Sequence, residues 1–208
     1  MMRNLPGRQR QSHRWLQPLS RPMAAAALAL TAAIGAGAAT AAQSWRIDAM
    51  NTWIGFKIDA VGFPTTRGRF THYTGAISLD FDRPAKSFTR FTVDSTSVDV
   101  GSESYTSFVK SAALLNVAQF PTMSFVSTEV AKLDARTARV TGDLTMLGVT
   151  RPVTLTVNVE TDKPARGRAV AFVATSAIKR SEFGMIFGLP LIDDTLEITV
   201  RTRALTDD

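Results

Sequence analysis

Thr141-Gly142-Asp143-Leu144-Thr145-Met146-Leu147-Gly148-Val149-Thr150-Arg151-Pro152-Val153 decides the fold. Val140 to Met146 has the residue types of a strand, and Val153, Leu155, Val157 and Val159 alternate as a second one. Gly148 supplies the tight turn between them. Arg151-Pro152 opens the second strand, where a missing N–H is tolerated. Two long strands joined this closely must run antiparallel, since a parallel pair needs a long crossover.

The same period-two pattern extends in both directions. Ile54, Phe56 and Ile58 alternate with Gly55, Lys57 and Asp59, and Tyr73, Gly75, Ile77, Leu79 and Phe81 alternate with smaller or polar residues. Phe91 with Val93, Met123 with Phe125, Ala169 with Ala171 and Val173, and Leu196 with Ile198 and Val200 complete about eight strands. Asp82-Arg83-Pro84, Asp134-Ala135-Arg136 and Asp162-Lys163-Pro164 punctuate them. This spacing suits an antiparallel up-and-down or sandwich protein and not βαβ units. Eight strands closed into a barrel leave an interior that side chains fill or that holds one small ligand.

Two segments break the rhythm. Tyr105, Phe108, Val109 and Ala112 fall at helical spacing, with Ser102 as N-cap, Glu103 in the first turn and Pro121 closing the segment. A helix here would cover a barrel mouth. Ser181–Pro190 carries Phe183, Met185, Ile186, Phe187 and Leu189 between glycines. It is too apolar for a solvated loop, and reads equally as a core plug or as a lid.

The chain has 208 residues and a formal net charge of +6, but the excess lies at one end. Arg3, Arg8, Arg10, Arg14 and Arg21 precede residue 43 with no acidic residue among them. Removing those five from the 24 basic residues leaves 19 against 18 acidic ones. A nearly neutral remainder gives no reason to expect a nucleic-acid partner. The arginines lead into the apolar run Met23–Ala38 and the small residues Ala39-Thr40-Ala41-Ala42. This predicts a secretory signal over 1–42, cleaved after Ala41 or Ala42, and a mature domain over 43–208 without stable membrane insertion.

The chain has no cysteine, which removes disulfides, thiolate metal sites, cysteine nucleophiles and lipoprotein acylation. His72 is the single histidine after residue 42, too few for zinc, and its strand position predicts a surface or packing role. Asp193-Asp194 reads as a turn-capping pair. Gly101-Ser102-Glu103-Ser104-Tyr105 fails as a nucleophile elbow at its last position. No catalytic residue, metal or cofactor is expected.

With these pieces in order, the chain resembles the YceI-like family of periplasmic polyisoprenoid-binding proteins. The resemblance rests on Trp45-Arg46-Ile47-Asp48, Val61-Gly62-Phe63, Arg67-Gly68-Arg69-Phe70 and Ser97-Val98-Asp99-Val100-Gly101. It continues through Phe120-Pro121-Thr122-Met123-Ser124-Phe125, the 141–153 run, Lys179-Arg180-Ser181-Glu182-Phe183-Gly184 and Leu196–Arg203. It implies an extended, mainly β, lipocalin-like antiparallel barrel holding a lipid-like isoprenoid amphiphile, polyprenyl or quinone-type, in the periplasm, with no catalysis. The family's usual histidine positions read Asn51 and Ala60 here, and its polar helical run reads Tyr105-Thr106-Ser107-Phe108-Val109. A more apolar site, or a head group read elsewhere, follows if those side chains face inward.

The expected pocket wall is Phe56, Phe63, Phe70, Phe91, Tyr105, Phe108, Leu114, Phe125, Phe172, Phe183, Met185 and Phe187. Lys179 and Arg180 are the expected head-group contacts, through ammonium and guanidinium charge; pairing of Arg180 with Glu182 or Asp194 is the structural alternative. Two other classes stay open: an enzyme acting on an apolar substrate, and an envelope stress or adhesion protein with a packed barrel. A homodimer is also left open.

Overall fold

The computed structural model describes residues 43–47, 49–80, 83–161 and 169–206. The expected signal segment lies outside the described residues. Eleven strands form one antiparallel sheet: β1 (Gln43–Ile47), β2 (Trp53–Ala60), β3 (Phe63–Phe70), β4 (Tyr73–Leu79), β5 (Phe88–Asp94) and β6 (Val98–Asp99), followed by β7 (Thr122–Lys132), β8 (Thr137–Met146), β9 (Val149–Val159), β10 (Val170–Lys179) and β11 (Thr195–Thr206). The one α-helix among the described residues, α1, spans Glu103–Lys110 behind Ser102, where the 3.6-residue spacing puts it.

The count of eight strands is corrected to eleven, and the reason is visible in the pairing. β1 and β2 both run antiparallel to β11, one beside Ala204–Thr206 and the other beside Glu197–Arg201. β4 and β3 pair with them, and β5 and β6 pair with β4 and β3 in turn. The chain therefore makes eight antiparallel passes, three of which are each broken in two. Among the described residues the breaks fall at 49–52, 71–72 and 95–97, at one level of the sheet. Tyr73 Oη donates to the Thr52 carbonyl there, and Ser97 Oγ accepts from the His72 amide at 3.0 Å.

Each break also shifts the phase of the alternation. Trp45 is buried on β1, whereas Ile54, Phe56 and Ile58 face the interior on β2. Ile77 and Leu79 face inward on β4 and Phe70 on β3; Phe91 and Val93 do so on β5, and Val98 is buried on β6. Odd-numbered positions point inward on one side of the breaks and even-numbered positions on the other. A single period-two template cannot follow a strand through such a shift.

The sheet is barrel-like. β1 pairs with both β4 and β11, which joins eight strands in a ring at that end. At the opposite end β9 and β10 pair only from Val159↔Phe172 to Thr156↔Thr175 and then part. Ser176 Oγ reaches across the split to the Thr154 carbonyl at 2.8 Å. α1 lies at this parted end, beside β6.

The β8–β9 hairpin is as tight as its sequence predicts. Met146 pairs with Val149 across Leu147-Gly148, and both turn residues have positive φ, 54° and 73°. That conformation matches the strand twist and is costly for leucine, which here packs against the buried cluster beneath α1. At the other end of the sheet, Asp134 Oδ1 accepts from the Arg136 and Thr137 amides, each at 2.8 Å, and turns β7 into β8.

The core is divided. One cluster, under α1, contains Val98, Val109, Leu115, Met146, Val153, Ile178, Phe183 and Met185. The other, at the ring-closed end, contains Trp45, Ile77, Val170, Phe172 and Ala204.

Candidate functional site: an axial apolar cavity

Members of both clusters border one cavity of about 660 Å³. Its walls run from Val109, Leu115 and Met185 near α1, past Val140, Leu155 and Ala174, to Phe172, Leu79 and Phe88 at the ring-closed end. Most of the lining is aliphatic or aromatic, as the alternation of eight passes dictates. This volume lies within the usual range of ligand pockets, roughly 300–1,000 Å³.

Of the aromatic and apolar residues expected at the pocket, Phe56, Phe70, Phe91, Tyr105, Leu114, Phe125, Phe172 and Met185 border the cavity. Phe56 and Phe70 meet at 5.9 Å between ring centroids. Phe125 lies over Gly142, where a Cβ would come within 2.5 Å of its ring, so the glycine makes room for this wall residue. Phe183 is fully buried in the cluster under α1. Phe63, Phe108 and Phe187 stand at the surface of the parted end; Phe63 is 75% exposed. Phe108 stacks on Tyr105 at 6.3 Å and meets Phe187 edge-on at 5.4 Å. Tyr105 therefore faces the cavity while Phe108 faces its rim.

Asn51 is exposed and Ala60 half-buried. His72 is exposed, as a surface role predicts, but lies in the break between β3 and β4 and not on a strand. Among the described residues no group of three or more His, Cys, Asp or Glu side chains is placed to hold a metal ion.

Arg180 borders the cavity and is completely buried. Its guanidinium donates from Nε to the Asp193 carbonyl at 2.8 Å and from Nη1 to those of Met185 and Phe187 at 2.7 and 2.8 Å. Nη2 donates to the Ile192 carbonyl at 3.0 Å. All three nitrogens are thus committed to the backbone of the 185–193 loop. Burial lowers the Arg180 pKa, an effect opposed by the charges of Asp194 and Asp193. Lys179 is exposed and donates to Thr195 Oγ1 at 2.9 Å. The Arg180 clamp was hidden from sequence reading, because a basic residue beside acidic ones looks the same whether it meets a ligand or a carbonyl cage.

The clamp explains the two-sided character of Ser181–Pro190. Phe183 and Met185 turn into the core, whereas Ile186, Phe187 and Leu189 turn out. The segment is both plug and rim.

Asp194 fixes the start of this loop. Its carboxylate accepts from the Ser181 amide at 2.9 Å and hydroxyl at 2.8 Å. The amide contact leads in lowering its pKa, the hydroxyl adds to it, and the Lys179 and Arg180 charges contribute, against opposing desolvation. A carboxyl depressed below its usual 3.8 stabilises the fold above that value and loses the contribution as pH falls through the folded pKa. Thermal midpoints followed from about pH 5 to about pH 2 should therefore fall less steeply for Asp194→Asn than for the parent chain. Parallel curves would mean that the contact does not discriminate the two protonation states.

An antiparallel, barrel-like sheet with one helix at its parted end and an apolar axial cavity is the class these features define. Residues 45–204 match the YceI-like domain, and the chain belongs to that family. It is 34% identical over 154 residues to protein YceI of Escherichia coli O157:H7, covering 72% of this chain and 80% of the relative. A UPF0312 protein of Pseudomonas aeruginosa (strain LESB58) is 30% identical over 184 residues, with coverages of 86% and 96%. Among solved structures, Burkholderia cenocepacia BcnA is similar at TM-score 0.69 and 24% identity, covering 76% of this chain and 98% of its own. A polyisoprenoid binding domain from Saccharophagus degradans, implicated in plant cell wall breakdown, is similar at TM-score 0.58 and 12% identity, with coverages of 80% and 99%.

Proposed function

We propose that this protein is exported to the periplasm, where it binds and carries a lipid-like isoprenoid amphiphile, polyprenyl or quinone-type, inside the barrel without catalysing a reaction. The cavity carries this reading: about 660 Å³ with a mostly apolar lining, continuous between two hydrophobic clusters. The Saccharophagus degradans neighbour, described as polyisoprenoid-binding, supports it, as does the family. Burial of an isoprenoid tail contributes about 25 cal/mol per Å² of apolar surface removed from water, so a long tail is held without a strong polar contact, before ordering costs. The wall includes Phe56, Phe70, Phe91, Tyr105, Leu114, Phe125, Phe172 and Met185. Neither expected head-group contact is available inside the cavity: the Arg180 donors are committed to backbone carbonyls, and Lys179 is exposed on the outward face of β10, so the apolar tail carries the binding.

Native mass spectrometry of the protein recovered from its own periplasm, followed by solvent extraction, tests this directly. A co-purifying mass in the polyprenyl or quinone range is expected. A bare polypeptide that takes up no added isoprenoid would overturn the reading. Ala174 sits mid-wall between Phe172 and Ser176 on β10. Ala174→Trp should block the cavity and lower the bound fraction at least about tenfold, the loss of a few buried methylenes at about 0.8 kcal/mol each.

A further inference from the structure

We propose that the parted end of the barrel docks onto a zwitterionic phospholipid surface, with the rim of the cavity inserted among the lipids. Three separate elements bring large apolar side chains to that rim. The β2–β3 turn offers Val61, 71% exposed; α1 offers Phe108; the 184–192 loop offers Ile186 and Leu191, 66% and 63% exposed. They form one surface. The Val61 amide donates to the Leu191 carbonyl at 2.8 Å, Ala60 bridges Ile192, and Phe108 meets Phe187. Ile192 and Tyr105 carry the same surface into the cavity.

The chemistry selects a bilayer over a protein. Neither 60–66 nor 183–192 contains a charged residue. Protein interfaces end in a polar rim, whereas hydrocarbon asks for apolar side chains and no unsatisfied backbone. The loop meets much of the second requirement internally. Arg180 occupies the carbonyls of residues 185, 187, 192 and 193, and the Leu189 and Ile192 amides donate to Ile186 and Gly188. Charges behind the rim occur in both signs, with Lys57 paired to Glu197 and Arg69 to Asp99, so no anionic lipid is required. The inference rests on the lipid-binding reading for its purpose: a cargo held in hydrocarbon would pass between bilayer and cavity without crossing water.

Co-sedimentation of the periplasmic protein with phosphatidylcholine vesicles tests it, beside quenching of tryptophan fluorescence by a short-chain isoprenyl benzoquinone in solution. The parent chain should sediment with the vesicles. The double variant Val61→Asp/Ile186→Asp should lose at least about tenfold in partitioning, since interfacial binding scales with buried apolar area, and keep its quenching. Leu191→Asp, a milder change, should lose less. Equal sedimentation of all three, or none by the parent chain, would overturn the proposal. So would a parent dimer that the double variant converts to monomer, which would make the rim a self-association face. Loss of sedimentation with no quenching in any protein would uphold docking and overturn the cavity reading instead.

Discussion

Arg180→Ala is expected to lower the unfolding free energy by about 3–5 kcal/mol, because each buried acceptor left without a donor costs roughly 1–3 kcal/mol and four carbonyls lose theirs together. Water reaches some of them, which keeps the total below the simple sum. Arg180→Met restores the volume but none of the donors, and should cost nearly as much. Arg180→Lys should fall between, since one ammonium cannot reproduce a planar fork directed at carbonyls on both arms of a loop. Urea unfolding followed by tryptophan fluorescence measures the series. A loss under about 1 kcal/mol for Arg180→Met would mean that the loop is held by Phe183 and Met185 rather than by the guanidinium.

Trp45→Ala should be of similar size, about 3–5 kcal/mol, for a different reason. Trp45 is 1% exposed and packs with Ile77, Val170, Phe172 and Ala204. It is the largest side chain of a five-residue strand whose two neighbours, β4 and β11, meet only through it. Truncation leaves a void and also loosens the closure of the ring. Amide exchange at Trp45–Ile47 and Ala204–Thr206 should rise well ahead of exchange in β8 and β9. Trp45→Phe should cost much less, because the buried indole N–H has no hydrogen-bond partner among the described residues. Uniform exchange throughout the sheet would contradict a separable closure.

The β8–β9 hairpin and α1 were legible in the sequence, since each depends on contacts within a few residues, and the all-antiparallel architecture followed from strand spacing too short for βαβ units. Leu147-Gly148 sets its turn locally, and Tyr105, Phe108 and Val109 set a helix face. β3 was not legible: Phe63-Pro64-Thr65-Thr66-Arg67-Gly68-Arg69-Phe70 has little alternation and owes its pairing to β2 and β6. Of the pocket, residues inside regular strands, such as Phe91 and Phe125, could be placed by alternation, whereas Ala169, Ala171 and Val173 suggested the wrong face of β10, where Val170, Phe172 and Ala174 turn inward. Phe63, Phe108 and Phe187 could not be placed, because an aromatic side chain at a turn or helix end has no periodic partner to fix its direction. The role of Arg180 depends on carbonyls 5 to 13 residues away, brought together only by the closed loop.

The three strand breaks have a consequence for how such a barrel changes over generations. In an uninterrupted strand, a one-residue insertion exchanges the inner and outer faces of everything beyond it. Here the two ends already keep opposite phase, and the irregular residues at 49–52, 71–72 and 95–97 form a joint between them. An insertion or deletion absorbed at that joint leaves the inward set of each end as it was. The parted end can thus be lengthened, shortened or re-aimed while the ring-closed end stays fixed. Cavity length then becomes a trait that selection can adjust in small steps, apart from the stability of the barrel.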